Sequence, residues 1–450
     1  MNWLERYRFK LYIHNSIWIF PSLSIIVALV VAALLTRIES ALGWRMNLSQ
    51  DTARVVMSTV AAALFTLVVV GSSAVLLVVQ LASAQLTPRV IALVYRNTAR
   101  KLCLSAFVFT FTFSVAALVR IENTVPFLTS YLAAYGFLVN LALFLFFIDS
   151  IGKTVRPSSA LQVVAFAGRE VIRSVYPLRL DDGISNVLEP AEGIRDEDGR
   201  VVVNKVDGVV LSFDLKGLVS LAERSNCLLE LVPQVGDYVA SGDPLFRIFN
   251  GGENIRDESF HKAVAISQER NLDQDPMFAF RIIVDIASKA LSPAINDPTT
   301  AVLAIDQIHH LLRDVGSRSL AEGREVDRKG KLRLMYRTPN WEDFVHLAVT
   351  EIRQYGRDSI QIMRRLRAML ENLIETLPDR RAPLLRQQLK LLSESSKRSF
   401  LDADDFTLAE EGDLQGMGGG GKEASYEESK VSELTTSHFT AARHSATDRS

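Results

Sequence analysis

Long uncharged stretches dominate the first third of the chain. They cover residues 11–36, 55–88, 102–119 and 123–148. A helix needs roughly 20 apolar residues to cross the hydrocarbon core of a bilayer, which is about 30 Å thick. The pattern therefore predicts a domain of four transmembrane helices over residues 1–152, with the lipid bilayer as its surroundings.

The second uncharged stretch is too long for a single crossing. As one helix, residues 55–88 would extend for roughly 51 Å, so part of the helix must stand outside the lipid. Pro88 cannot continue a helix comfortably. We therefore expect this helix to pass the inner leaflet and to bend or stop near Thr87.

Lys and Arg residues flank the apolar stretches unevenly. Four lie on one side of the membrane: Arg37, Arg45, Arg54 and Arg120. Eleven lie on the other: Arg6, Arg8, Lys10, Arg89, Arg96, Arg100, Lys101, Lys153, Arg156, Arg169 and Arg173. Basic flanks stay in the cytoplasm. The count predicts a multi-pass protein of the bacterial inner (plasma) membrane, with both termini and the region after the fourth helix in the cytoplasm.

The hydrophobic period changes after the membrane domain. Residues 153–200 show a helical connector and then an acidic loop, and residues 201–250 show short β-branched runs separated by Gly-Asp turns, which indicate a small β-rich module. Residues 251–400 return to helical spacing, and residues 401–450 are polar and rich in glycine, which is typical of a disordered tail. The fold class is therefore a membrane α-helical domain joined to a cytoplasmic α+β region.

Within the helical region, apolar residues at helical spacing predict six amphipathic helices. They cover residues 261–270, 277–291, 299–315, 341–355, 358–376 and 382–395. Residues 331–336 alternate charged and apolar side chains, which predicts a short edge strand.

Composition narrows the classes of function. Lys and Arg number 50 against 51 acids, so the formal charge of −1 gives no support to nucleic-acid binding. The two cysteines, Cys103 and Cys227, imply no disulfide framework. The sequence has no Gly-rich phosphate loop, no nucleophile elbow and no His-Glu-x-x-His helix. Asp306 and His310 could share a helix face, but a third metal ligand at suitable spacing is missing. We therefore expect that the protein is not an enzyme and that it binds no metal ion and no cofactor.

The most distinctive string in the soluble part is Ser-Pro-Ala-Ile-Asn-Asp-Pro at residues 292–298. Its prolines and its capping residues Asn296 and Asp297 are sufficient to make a corner between two helices. A second hypothesis is that these two residues converge with nearby charged residues on a polar cleft, the others being Arg270, Asp275, Arg281 and Asp285. Arg281 and Asp285, together with Lys289, could instead form an exposed ion-pair ladder.

This string, together with Glu269-Arg270, Asp275, residues 281–287 and the Ser-Ala-Gln-Leu-Thr-Pro-Arg sequence at 83–89, resembles one family. It is the family of predicted bacterial membrane proteins known as domain of unknown function twenty-two fifty-four. The resemblance covers roughly residues 10–400 and implies four early hydrophobic segments followed by a soluble part. It implies no reaction, substrate or ligand.

Two functional hypotheses follow. Polar residues of the second helix and its end suggest a membrane polar face, composed of Ser72, Ser73, Gln80, Gln85 and Arg89. Such groups need polar partners in lipid. They favour a channel or passive transporter that works as a homo-oligomer and carries an unknown small ion or ligand. The competing explanation is ordinary packing between helices. The alternative function is a membrane-anchored cytoplasmic sensor or scaffold without transport activity.

Overall fold

The structure is a computed structural model that describes residues 1–43, 49–91, 97–121, 125, 127–180, 199–320 and 323–419. The chain forms two compact units, Met1–Val163 and Val164–Ser450. The expected acidic loop lies almost entirely outside the described residues, because it consists mainly of residues 181–198.

The N-terminal unit is helical. Its helices are α1 (Trp3–Asn15), α2 (Ile19–Leu42), α3 (Gln50–Gln85), α4 (Thr98–Val119) and α5 (Phe127–Val155). By length and apolar composition, α2 to α5 can each cross a membrane, which confirms the four predicted spans. Many of their large apolar side chains are exposed, as in Ile26, Val30, Leu76 and Leu77. Such a surface is suited to lipid rather than to water.

Helix α3 is the longest of these helices. Ser49 caps its first turn, because the side-chain oxygen accepts a hydrogen bond from the Thr52 amide at 3.2 Å. The helix ends at Gln85, and a short 3-10 turn begins at Pro88, so the expected end near Thr87 is confirmed.

Two contacts fix α3 against the antiparallel helix α4. Arg54 donates to the Ile121 carbonyl at 2.7 Å, and a side chain at Gly71 would touch Leu104 and Phe107. These contacts place Arg54 level with Ile121, and Gly71 level with Leu104 and Phe107. Because the two helices are antiparallel, the last ten residues of α3 extend about 15 Å beyond the level of Lys101. This is the surplus length that the sequence predicted.

Lys101 joins α1 to the bundle. Its ammonium group is buried and donates to the carbonyl oxygens of Ile13 at 3.3 Å and His14 at 2.6 Å, in the last turn of α1. A cation at this end of a helix satisfies orphan carbonyls and opposes the negative end of the helix dipole.

The C-terminal unit begins within α6 (Pro157–Val175), which corresponds to the expected connector helix. Eight strands follow in the described residues: β1 Arg200–Val203, β2 Gly208–Phe213, β3 Leu228–Leu231, β4 Tyr238–Val239, β5 Pro244–Phe249, β6 Val264–Ser267, β7 Gly323–Val326 and β8 Leu332–Tyr336. One sheet has the order β1-β5-β3-β8-β7 and the other the order β4-β2-β6. Helix α7 (Leu215–Arg224) and both sheets contribute to one apolar core.

Helices α10 (Pro298–Gly316) and α11 (Trp341–Tyr355) pack against α9 (Pro276–Ala290), whose inner face is apolar. Helix α12 (Ile360–Thr376) packs against α10, while α13 (Ala382–Ser399) and α14 (Ala403–Ala409) pack against α12. The short helix α8 (Asp257–His261) lies beside β6. Gly168 of α6 lies so close to α9 that an added Cβ would stand 2.6 Å from Ala279 Cβ. Glycine is therefore required at this crossing.

Three expectations about the C-terminal unit need correction. The predicted helix at 261–270 is wrong, because Val264–Ser267 pairs with β2 as strand β6. The strand at 331–336 exists, but it lies between β3 and β7 rather than at an edge. The third expectation, a β-rich module confined to residues 201–250, is too narrow, because β6, β7 and β8 lie outside that range and belong to the two sheets.

The tail expected to be disordered from residue 401 begins too early. Residues 403–409 form α14, and the chain is described to Gly419. Polar contacts with arginines of α12 hold this segment, so its low apolar content did not prevent folding.

Candidate functional site

The polar face expected on α3 does not line the interior of the helix bundle. Ser72, Ser73 and Gln80 are exposed on α3, and Arg89 is exposed in the 3-10 turn. The side chain of Gln85 lies outside the described part of the structure. Gln80 also lies in the part of α3 that extends beyond Lys101. The expected polar face therefore reaches past the uncharged part of α4.

A different set of polar side chains is buried between α4 and α5. Asn140 Nδ2 donates to Thr110 Oγ1 at 2.7 Å and to the Gly136 carbonyl oxygen at 2.7 Å. Thr110 Oγ1 in turn donates to the Ala106 carbonyl at 3.0 Å. Gly136 allows this approach, because a Cβ there would stand 2.9 Å from Thr110 Cγ2.

Two further buried polar side chains lie elsewhere on the same two helices. Ser114 lies one turn from Thr110 on α4, and Ser130 lies on α5, ten residues before Asn140. Both serines are buried. We call Thr110, Ser114, Ser130 and Asn140 the polar file.

Three atoms of the polar file have no hydrogen-bond partner among the described residues. They are Ser114 Oγ, Ser130 Oγ and Asn140 Oδ1. An unpaired polar atom inside a protein costs about 1–3 kcal/mol, and such atoms commonly mark an ordered water or an ion. The polar file therefore retains unused hydrogen-bonding capacity at three buried atoms.

Each end of the polar file has a distinct boundary. At the start of α5, Glu39 of α2 accepts hydrogen bonds from Thr129 N at 2.9 Å and Thr129 Oγ1 at 2.5 Å. At the other end, the ring centroid of Phe107 lies 5.9 Å from that of Phe147 and 6.3 Å from that of Phe144. The file thus runs from a buried carboxylate to an aromatic cluster.

The polar file was missed from the sequence because its residues are isolated in apolar runs. The available signal was spacing: Thr110 and Ser114 are four apart, as are Gly136 and Asn140. Such pairs share a helix face and can meet across two helices.

The six charged and polar residues expected around α9 do not form one cleft. Arg270 and Asp275 lie at its start, Arg281 and Asp285 in its middle, and Asn296 and Asp297 beyond its end. A helix of 15 residues is about 22 Å long, which separates the first pair from the last.

The first pair contains a deeply buried carboxylate. Asp275 caps α9 by accepting a hydrogen bond from the Phe278 amide at 3.0 Å, and its Oδ2 lies 3.8 Å from Arg270 Nη1. The Gly236 backbone packs against this carboxylate. Burial raises the pKa of Asp275 to about 6, despite the opposing charge of Arg270 and the capping bonds.

The middle pair belongs to an ion cluster that includes Glu351 of α11, which the sequence did not suggest. Arg281 Nη1 and Nη2 donate to the two Glu351 oxygens at 2.5 and 2.6 Å, and Arg281 Nε donates to Asp285 Oδ1 at 2.6 Å. Hydrogen bonding to Glu351 raises the pKa of Arg281 above its ordinary value. This geometry satisfies the guanidinium and joins α9 to α11.

The last pair forms a helix corner. Asp297 caps α10 by accepting from Thr300 N at 3.0 Å and Thr300 Oγ1 at 2.5 Å. Asn296 is exposed and has a φ of 48°, in the left-handed region that asparagine tolerates. These contacts account for the motif as a turn.

No group of three or more His, Cys, Asp or Glu residues suited to a metal ion occurs within the described ranges. Asp306 instead accepts a hydrogen bond from Arg365 Nε at 2.7 Å, and His309 Nε2 lies 2.9 Å from Asn372 Oδ1.

Comparisons with known proteins identify relatives but no activity. A family model described as a predicted membrane protein (DUF2254) matches residues 14–372. Uncharacterized proteins of Mycobacterium bovis and Mycobacterium tuberculosis are each 26% identical over 416 residues, which is 88% of this chain and 78% of theirs. No solved structure matches the chain significantly.

Proposed function

The chain belongs to the DUF2254 family of predicted membrane proteins, and we propose that it is a channel or passive transporter whose C-terminal unit regulates it. The observation that carries this proposal is the polar file of α4 and α5, with three buried atoms that have no hydrogen-bond partner in the described part of the chain. Catalysis and a bound cofactor form no part of the proposal.

The chemistry of the polar file favours water or a small monovalent cation as the guest. Its unpaired atoms are the two serine hydroxyls and the amide oxygen of Asn140, which can replace part of a hydration shell. Glu39 places a carboxylate beside one end of the file and disfavours anions there.

The proposal includes several copies of the chain. One bundle of four helices leaves little room, since Thr110 and Gly136 are already in close contact. Ser72 and Ser73 lie on an exposed face of α3 within its apolar part, where a second copy could satisfy their hydroxyl groups. In this proposal the bundle lies in the bacterial inner membrane, and the positive-inside pattern supports a cytoplasmic location for both termini and the C-terminal unit.

Flux measurements on purified protein in liposomes test this proposal. We expect the wild-type protein to raise the permeability to water or to K⁺ above that of empty liposomes. Asn140→Leu removes the amide and fills its space with an apolar group, and it should reduce the added flux at least tenfold.

A matched pair of threonine variants separates the polar file from general helix stability. Thr110→Val and Thr36→Val each remove a hydroxyl that donates to the carbonyl four residues earlier, at 3.0 and 2.9 Å. Only Thr110 also accepts from Asn140, so only its variant should lower flux. Equal flux in all three variants would contradict the proposed path.

The second candidate is a membrane-anchored sensor. Asp275 favours it, because a buried carboxyl with a pKa of about 6 changes charge near neutral pH. If liposomes with protein remain as impermeable as empty ones to water and to K⁺, while the C-terminal unit responds to pH, the sensor becomes the better explanation.

A further inference from the structure

The segment of residues 402–419, which we call the strap, covers three arginines of α12. Arg364 is 1% exposed, and its guanidinium donates to the carbonyl oxygens of Glu411 at 3.2 Å, Gly418 at 3.3 Å and Gly419 at 2.7 Å. Among the described residues, no carboxylate lies within 4.0 Å of this guanidinium. Arg364 is thus a buried cation whose hydrogen-bond partners are all neutral.

The two neighbouring arginines also hold the strap. Arg365 Nη1 donates to the carbonyl oxygens of Asp413 at 3.1 Å and Leu414 at 2.7 Å. Arg367 Nη2 lies 2.6 Å from Glu410 Oε1, and Arg367 Nε donates to the Ala409 carbonyl at 3.4 Å. Six hydrogen bonds from arginine to carbonyl oxygens therefore attach the strap.

Departure of the strap would leave positive charge uncompensated. Asp306, which pairs with Arg365 at 2.5 Å, and Glu371, 4.0 Å from Arg367, are outside the strap and would remain. Three guanidinium groups would then face two carboxylates, and Arg364 would have no partner from the strap. Removal of the strap would expose these guanidinium groups with one positive charge in excess, so the vacated groove would favour an anion.

Asp413 supplies the strap with an anion of its own. Its carboxylate accepts hydrogen bonds from the amides of Gln415 and Gly416 at 2.9 Å and from that of Gly418 at 2.6 Å. Burial alone would raise the pKa of Asp413, but these amides and the charge of Arg364 hold it below its ordinary value. The strap thus presents backbone carbonyls and a fixed negative charge to the arginines, much as a bound anion would.

After α14, apolar contacts contribute little to the hold of the strap. Leu414 is 54% exposed and Met417 is 82% exposed, whereas within α14 Phe406 is half-buried and Ala409 is buried. Polar contacts of this kind can be exchanged for those of a competing ligand, because little hydrophobic area is lost.

We propose that the strap is a displaceable occupant of a phosphate-binding groove formed by Arg364, Arg365 and Arg367. The ligand class is a small anion with several phosphate groups, because guanidinium forks match phosphate oxygens in geometry and charge. This inference concerns the C-terminal unit and does not depend on transport through the polar file.

Binding of tripolyphosphate to the full chain in nanodiscs, measured by calorimetry, tests the proposal. Gly416→Val should displace the strap, because its φ is 71° and a Cβ there would stand 2.7 Å from Val302 Cγ1. We expect this variant, and a chain that ends at residue 401, to bind at least 30-fold more tightly than the wild type. Adding Arg364→Gln to either should reduce that affinity at least tenfold.

Two further measurements, on a control variant and on the wild-type protein, test whether the strap itself is displaced. Gly330→Val introduces similar backbone strain at a φ of 78° in the turn between β7 and β8, and it should leave tripolyphosphate affinity at the wild-type value. In the wild-type protein, saturating tripolyphosphate should speed hydrogen exchange at the amides of Gly416 and Gly418. Unchanged exchange there, or equal binding with and without the Arg364 guanidinium, would overturn the proposal.

Discussion

The most informative single substitution in the C-terminal unit is Asp275→Asn. Asparagine keeps an oxygen that can cap α9 through the Phe278 amide, but it removes the buried charge. The prediction is that this variant is more stable than the wild type at neutral and alkaline pH. The gain should disappear in acid.

The magnitude follows from the pKa of Asp275. Its value rises from 3.8 to about 6 on folding, and each pKa unit corresponds to about 1.4 kcal/mol. The unfolded chain therefore loses this proton at a lower pH than the folded chain does. Well below a pH of 3.8 both forms are protonated and the charge has no effect, whereas above a pH of about 6 the charge destabilises the folded unit by about 3 kcal/mol.

Hydrogen exchange of the α9 amides in the full-length protein measures this effect as a function of pH. After correction for intrinsic exchange rates, protection in Asp275→Asn should exceed that of the wild type by about 30- to 150-fold at pH 8, which corresponds to about 2–3 kcal/mol. Asp275→Ala, which also loses the cap, should gain less by about 1 kcal/mol. A difference between Asp275→Asn and the wild type that stays constant from pH 4 to pH 8 would refute the reasoning.

Three further predictions concern local contacts. Glu351→Gln removes a charged partner of Arg281 and should lower the free energy of unfolding by about 1 kcal/mol in a denaturant titration, whereas a stability equal to wild type would show that the pair contributes nothing. Lys101→Met leaves the carbonyl of His14 without its donor and should speed hydrogen exchange in α1 by an amount equivalent to about 1–2 kcal/mol, with unchanged exchange contradicting the proposed cap. Asn296→Gly should be close to neutral in thermal unfolding whereas Asn296→Ala should cost about 1 kcal/mol, because φ is 48° there; equal melting temperatures would argue against this strain.

The membrane spans could be predicted from the sequence because a bilayer imposes a length and excludes charge. The absence of charge between Arg54 and Arg89 was enough to identify α3 and its surplus length. The position of β8 in the sheet was not predictable in this way. Its neighbour β3 lies about 100 residues earlier in the chain, and local alternation cannot reveal a distant partner.

The candidate sites were harder to predict for two different physical reasons. The polar file depends on which faces of α4 and α5 meet, so Thr110 and Asn140 gained meaning only when they were 2.7 Å apart. The strap was assigned to a disordered tail because few of its side chains are apolar. Its backbone carbonyls bind Arg364, and backbone acceptors leave no trace in the sequence.

The most direct test of the polar file is whether Ag⁺ blocks flux through a variant that carries a cysteine at residue 140. Ag⁺ is a small cation that reacts with thiolates, so it can report whether a cysteine at residue 140 lines a path for ions. In a chain whose Cys103 and Cys227 are changed to Ser, Asn140→Cys should lose its K⁺ or water flux when Ag⁺ is added, while Leu145→Cys, at an exposed position of the same helix, should keep it. Flux through Asn140→Cys that persists in Ag⁺, at the same level as through Leu145→Cys, would contradict a path through the polar file.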